Sequence, residues 1–176
     1  MRKIALLTMC FLLIMSVFAA AQEGPKAEVF GGYQLTRVSP GHGVNNFNLN
    51  GWDASLNGYF HRYVGVTADF SGTYGTPYTV STHLYTYMFG PTLRATNSSP
   101  FTPFAHVLFG GAHISGSAGG GSVSDSGFAW APGGGLDIRA GRFLSLRVAQ
   151  FDFLQTHISS DTQNNIRYSA GAVLRF

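Results

Sequence analysis

From residue 50 onward, polar and apolar residues alternate with a period of two over stretches of ten or more positions. That period places successive side chains on opposite faces of an extended strand. Trp52, Ala54, Leu56, Gly58 and Phe60 fall on one face, and Asp53, Ser55, Asn57 and Tyr59 on the other. The next stretch repeats the pattern, with Val64, Val66, Ala68, Phe70, Gly72 and Tyr74 set against Gly65, Thr67, Asp69, Ser71 and Thr73. A three-residue turn, His61-Arg62-Tyr63, sets Phe60 opposite Val64 and Trp52 opposite Gly72, so both apolar faces share one side of a hairpin.

Eight such segments are predicted, at residues 26–36, 50–61, 64–75, 82–94, 101–113, 127–139, 142–155 and 165–176. Long polar or glycine-rich links (37–49, 114–126, 156–164) lie at one end beside a shorter link at 76–81. The other end has tight links around Arg62 and Ala140-Gly141, and a link at 95–100. An even strand number with short turns at one rim and long loops at the other is the layout of an all-β, eight-stranded antiparallel up-and-down transmembrane barrel. Two segments depart from the pattern. In 84–93 both alternating sets hold apolar residues (Tyr85, Tyr87 and Phe89 against Leu84 and Met88), so their faces stay unassigned. In the seventh, Leu144, Leu146 and Val148 begin an apolar face that Gln150 and Asp152 would continue. A β-bulge near Ala149-Gln150 restores the phase and turns Phe151 and Phe153 outward. A turn at Ala140-Gly141-Arg142 aligns Ile138 with Leu144 and Leu136 with Leu146.

The amino terminus belongs to a different element. Arg2 and Lys3 precede an almost wholly apolar run from Ile4 to Phe18, and Ala19-Ala20-Ala21 supplies a small-residue cleavage site. This is the order of a secretory signal peptide, and the apolar run is shorter than the roughly 20 residues of a spanning helix. Residues 1–21 are read as the leader, cleaved after Ala21, and 22–176 as the barrel domain. The single cysteine, Cys10, leaves with the leader, so no disulfide is expected. Charged residues make up 11% of the chain against about 25% in ordinary soluble domains, while 23 glycines and 14% aromatics run high. That balance excludes a charged helical bundle or a disordered tail. Without Arg2 and Lys3, nine basic residues face eight acidic ones, so the charge does not call for a nucleic-acid partner. The basic set is eight arginines and one lysine, a bias toward forked, permanently charged donors suited to buried ionic networks.

With apolar faces outward, Glu28, Asp53, Asp69, Asp137, Arg139, Arg147, Arg167 and Arg175 point into the lumen, joined by Asp152 beyond the bulge. The opposite choice is a soluble barrel with a greasy interior, as in lipocalins. Three features favour the membrane. Aromatics gather near the strand ends: Tyr33, Trp52, Tyr74, Trp130 and Phe153 toward the loops, Phe60, Tyr63, Phe101 and Phe143 toward the turns. Charges are scarce on the proposed outer face. An eight-stranded interior is just wide enough for side chains to fill, and Gly133 and Gly135 leave room across from Arg147. Closure brings Glu28 and Arg175 into one ionic cluster near the turn rim, and Asp152 near Arg167 toward the loops. A lumen paired in this way is a plug more than a pore.

The last strand, Tyr168, Ala170, Ala172, Leu174 and Phe176, alternates to a terminal Phe and resembles the C-terminal signal by which the barrel-assembly machinery recognises outer-membrane proteins. With the leader and the segments YMFGP (87–91) and PFAHVLFGGAH (103–113), the chain resembles the small outer-membrane β-barrel domain family, the OmpA/OmpX-like group. The resemblance implies an outer-membrane location in a Gram-negative-type bacterium, contacts with membrane lipid and lipopolysaccharide, and a structural or surface-interaction role. It includes no periplasmic peptidoglycan-binding domain, so wall anchoring by one is not expected. A small porin-like channel is the alternative.

Catalysis and cofactors find little support. His113-Ile114-Ser115 resembles the His-x-Ser of the lipid A deacylases, but Gly116 follows where that family has Asn, and no downstream Glu orients the imidazole. Asp125 is the nearest substitute, in a glycine- and serine-rich segment (115–126) read as a flexible external loop open to an unspecified partner. His42, His61, His83, His106, His113 and His157 lack metal-ligand spacing, and the glycine runs 119–121 and 133–135 lack the context of a phosphate cradle. A monomer without cofactor, metal or catalytic site is the reading.

Overall fold

The computed structural model describes residues 26–39, 46–77, 81–96, 98–118, 121–158 and 161–176. The leader, His42 and Gly119-Gly120 lie outside the described residues. Eight strands follow one another: β1 (Ala27–Val38), β2 (Phe47–Tyr59), β3 (Val64–Gly75), β4 (Ser81–Arg94), β5 (Phe101–Ala118), β6 (Gly121–Arg139), β7 (Leu144–Ile158) and β8 (Asp161–Arg175). Each pairs antiparallel with the next, and β1 pairs with β8, so the sheet closes into the predicted barrel without a free edge. In hydrocarbon this closure is what satisfies every backbone N–H and C=O.

The outer face carries the apolar set. Tyr33, Trp52, Leu56, Phe60, Val66, Phe70, Phe109, Phe128, Leu146, Phe151, Ile166 and Leu174 are all exposed. In β4 the odd positions Tyr85, Tyr87, Phe89 and Leu93 turn outward, while Thr82, Leu84, Thr86, Met88, Thr92 and Arg94 are buried inside. The ambiguous strand therefore alternates like its neighbours, with Leu84 and Met88 filling the interior.

Registers follow the predicted hairpin for β2 and β3, with Trp52 opposite Gly72. The β6–β7 hairpin differs: Ile138 faces Leu146 and Arg139 faces Ser145. The loop is Gly141-Arg142-Phe143, one position later than expected, because the Ala140 and Gly141 N–H groups both donate to the Leu144 carbonyl. The register moves by two, so inward and outward faces are preserved. The bulge lies at Val148-Ala149, between Arg147 and Gln150, where the pairing of β7 slips against both neighbours. Beyond it Gln150 and Asp152 are buried and Phe151 and Phe153 exposed.

Two of the expected loops are hairpins. β5 and β6 stay paired from Phe101–Ile138 out to Ala118–Gly121, so residues 115–118 and 121–126 of the segment read as a flexible loop extend the barrel wall. β7 and β8 stay paired to Ile158–Asp161, which shortens the link expected at 156–164. Glycine and serine have low strand propensity, but a register already set in the wall carries pairing outward through them.

Candidate functional site

The inner face of the barrel gathers five buried carboxylates and four buried arginines. Near the turn rim, Arg94 Nη1 of β4 reaches across to Glu28 Oε1 of β1 at 2.7 Å, with its guanidinium 3.6 Å from the centre of the Tyr59 ring. Arg175 Nε lies 3.0 Å from the same Glu28 oxygen, and its Nη2 lies 3.5 Å from Asp137 Oδ2. Arg147 Nε donates to Asp137 Oδ1 at 2.9 Å and its Nη1 to Gln150 Oε1 at 2.7 Å. Gln150 Nε2 passes the chain to Asp152 Oδ2 at 2.8 Å. Arg167, without exposed surface, donates to Asp152 Oδ2 at 2.7 Å, to Asp69 Oδ1 at 3.1 Å and to Thr86 Oγ1 at 3.3 Å. Because β8 stands opposite β3 and β4 in an eight-stranded circle, Arg167 is a crossbar through the lumen. His106 Nε2 of β5 closes on Asp152 Oδ1 at 2.7 Å.

These contacts form one connected network from Arg94 to Asp69, with four carboxylates and four guanidiniums in ion pairs. The membership differs from expectation at two places. Arg139, placed in the lumen by alternation, is exposed at the last position of β6, beyond the packed interior. Arg94 is the fourth arginine instead. Asp53 is buried as expected but lies in no ion pair among the described residues; Ser169 and the Arg167 guanidinium are the groups that favour its charge.

Aromatic and glycine positions shape this space. The Arg147 guanidinium is sandwiched by Phe30 and Phe104, at 4.3 and 4.1 Å from the ring centres. A Cβ on Gly135 would collide with the Ala149 carbonyl and meet Phe104 Cζ at 2.8 Å, and a Cβ on Gly133 would collide with Asp152 Oδ1 and meet the Phe151 carbonyl at 2.6 Å. The two glycines therefore admit a ring and a carboxylate rather than Arg147 directly.

On the loop side the lumen changes character. Val38, Leu49, Leu84, Met88, Leu108, Ala112, Ala129, Ala131 and Leu154 form a buried apolar cluster, with Phe47 and Ile114 packed against it. The charge-paired lumen expected from the sequence therefore occupies the turn side and middle, while the aliphatic cluster lies toward the loops among buried polar side chains such as Thr36, Thr73, Thr82, Thr156 and Asn165. Above this cluster a cavity of about 370 Å³, lined by Val38, Phe47, Thr82, Ile114, Val123 and Asp125 among others, opens at the mouth.

The His-x-Ser candidate does not assemble. His113 Nδ1 lies 2.7 Å from Ser126 Oγ across the hairpin, on an exposed face, while Ser115 pairs with Ser124. Asp125 accepts a hydrogen bond from the Ser126 backbone N–H at 2.8 Å. Among the described residues no three His, Cys, Asp or Glu side chains converge as metal ligands.

Comparison with known proteins matches residues 5–176 to the family model "Outer membrane protein beta-barrel domain". The chain belongs to this outer-membrane barrel family. Similar solved barrels are the attachment invasion locus protein Ail of Yersinia pestis (TM-score 0.65, 20% identity), the Neisserial surface protein NspA (0.73, 12%) and the N-terminal barrel of Pseudomonas aeruginosa OprF (0.60, 10%). Each alignment covers 88% of this chain and 100% of the other. No curated protein matches the sequence.

For an outer-membrane barrel, two members of the lumen network escaped sequence reasoning. Arg94 follows Thr82, Thr86 and Thr92 on the even phase of β4, opposite an aromatic odd phase, and that contrast identifies its face. His106 shares its phase with Thr102, while Pro103, Ala105 and Phe109 form the exposed phase. The outward set of β8 is Tyr168, Ala170, Ala172, Leu174 and Phe176; the Tyr168 hydroxyl donates to the Val148 carbonyl at 3.0 Å, over the bulge.

Proposed function

We propose that this outer-membrane barrel is a closed, non-catalytic protein that reinforces the envelope and presents its loop-side hairpins to a surface partner. The observation that carries this reading is the filled cross-section: the Arg167 crossbar and its network lie beneath a second, apolar layer. Ions crossing the lumen would have to break paired charges and then pass the packed aliphatic cluster, and each step is costly in low dielectric. Reconstitution in planar bilayers tests the reading: no stable conductance is expected, and reproducible single-channel steps would replace it with the porin-like alternative.

The remaining assignments belong to the same proposal. Glu28, Asp53, Asp69, Asp137, Arg147, Asp152, Arg167 and Arg175 act as a structural lumen set, Arg139 is left outside it, and no cofactor or metal takes part. The barrel is a monomer surrounded by outer-membrane lipid and lipopolysaccharide. Residues 1–21 are a cleaved leader, and Tyr168, Ala170, Ala172, Leu174 and Phe176 are the strand read by the assembly machinery. Acyl release from lipid A that disappears in His113→Ala would refute the non-catalytic assignment.

A further inference from the structure

The exposed side-chain charge at the turn rim has one sign. Arg62, Arg139 and Arg142 are exposed there and Lys26 half-buried, while the acids at that end, Glu28 and Asp137, are buried in ion pairs. Among the described residues no exposed acidic side chain lies at this rim; Asp125 is at the opposite end of β6. The cations form two pairs on opposite walls. The Lys26 carbonyl accepts the Tyr59 N–H at 2.9 Å, which sets Lys26 beside the turn that carries Arg62. Arg139 ends β6 just before the β6–β7 turn, and Arg142 lies within that turn.

Both turns repeat one arrangement. Arg62 lies with its guanidinium 4.7 Å from the centre of the adjacent Tyr63 ring, and Arg142 lies 5.2 Å from that of Phe143. Tyr63 is 41% and Phe143 60% exposed. Such rings partition to the headgroup level of a bilayer, and an arginine beside them is held at phosphate depth with its fork available. The turns are also held from inside. Arg94 Nε donates to the Arg62 carbonyl at 3.2 Å, and the Arg175 backbone N–H donates to the Phe143 carbonyl at 2.8 Å. The Arg62 turn is thus tied to the buried network through the Arg94 side chain, while the Arg142 turn is held by the backbone pairing of the barrel wall.

We propose that the two turn-rim clusters, Lys26 with Arg62 and Arg139 with Arg142, are binding sites for the headgroups of anionic phospholipids in the periplasmic leaflet. Short turns of outer-membrane barrels face the periplasm, so these clusters meet that leaflet. A planar guanidinium binds a phosphate through two parallel hydrogen bonds, and the neighbouring ring covers the glycerol and upper acyl carbons. The rings favour a lipid over a soluble anion, which would leave them facing water.

The test uses the full barrel in nanodiscs of phosphatidylcholine containing phosphatidylglycerol, released for native mass spectrometry. Retained phosphatidylglycerol is expected to exceed its share of the nanodisc lipid. Each surface cation contributes about a fivefold preference, and Arg62 and Arg142 serve separate sites, so Arg62→Ser with Arg142→Ser should lower that excess about fivefold. Arg37→Ser, at the loop end, should leave it unchanged, and Arg→Lys at both turns should restore part of it. Release in 1 M salt should erase the preference, because screening there reaches about 3 Å. All variants change exposed side chains, and heat-modifiable gel mobility verifies that each is folded. Equal retention of the two lipids, an unchanged preference in the double variant, or binding of cell-wall fragments without any lipid preference would each overturn the proposal.

Discussion

Replacing Arg167 with methionine is the sharpest perturbation of the lumen. Methionine is flexible and fills much of the arginine stem volume, so the cavity cost is small and the loss is electrostatic. Arg167 holds Asp152 at 2.7 and 3.2 Å, Asp69 at 3.1 Å and Thr86 at 3.3 Å. After the substitution Asp152 keeps His106 at 2.7 Å and Gln150 at 2.8 Å. Asp69 keeps no ion pair among the described residues, so it becomes the orphaned charge. Removing one partner of a buried pair costs about 3–5 kcal/mol, and the Thr86 bond adds about 1 kcal/mol. The expected loss is therefore on the order of 4–6 kcal/mol. It is measured by urea unfolding in lipid vesicles, followed through Trp52 and Trp130 fluorescence. Asp69→Asn in the same background removes the orphaned charge, so the double variant should recover about 1.5–3 kcal/mol relative to additivity. An Arg167→Met barrel within 1 kcal/mol of the unsubstituted protein, or strictly additive losses, would refute the view of Arg167 as a crossbar between paired carboxylates.

Three further outcomes follow from the same geometry. Asp53→Asn should stabilise the barrel by about 1–3 kcal/mol in the same urea titration, since it removes a buried charge that lies in no ion pair among the described residues; a loss of stability would show that Ser169 and Arg167 hold the carboxylate. Gly133→Ala places a methyl group on Asp152 Oδ1 and should cost about 1–3 kcal/mol, with the amide of Gln150 the first to shift in NMR spectra. Phe176→Ala leaves the lumen untouched, because Phe176 is 66% exposed, so equilibrium stability should hold while assembly in cells slows, as seen in the fraction of heat-modifiable protein.

The strand pattern was legible wherever one face met lipid. Trp52, Leu56 and Phe60 against Asp53, Ser55 and Asn57 fixed both the faces and the register of β2 on β3, because a one-residue slip would have reversed every side chain. The bulge in β7 was legible for the same reason: Gln150 and Asp152 could not continue the face of Leu146. What stayed hidden depended on inward apolar residues. Leu84 and Met88 point into the lumen with Thr86 between them, so β4 had no clean polar phase, and Arg94 went unassigned with it. The apolar layer itself was invisible for a related reason. Alternation separates inside from outside only when the two differ in polarity, and a lumen filled with Leu108 and Leu154 resembles the outer wall. The hairpin at 115–126 escaped because pairing there depends on register inherited from the wall rather than on residue type.

The two layers of the lumen divide closure from register. Leu49, Leu84, Met88, Leu108 and Leu154 would block water without any ion pair, and the desolvation cost of the network beneath them gives no net stability by default. Its contribution is positional. Arg147 precedes the bulge at Val148-Ala149 and Gln150 and Asp152 follow it, yet all three face inward and are bonded in sequence across it. With regular alternation through Val148-Ala149 and no bulge, Gln150 and Asp152 would turn toward lipid while Arg147 stayed inside. Conversely, a one-residue slip of the whole strand would expose Arg147 to lipid, at about 2–4 kcal/mol near the midplane. Aliphatic contacts tolerate such shifts, since one methyl group packs much like another. A guanidinium forked between Asp137 and Gln150 does not. The ionic layer therefore selects one register of β7 among several that the apolar layer alone would accept.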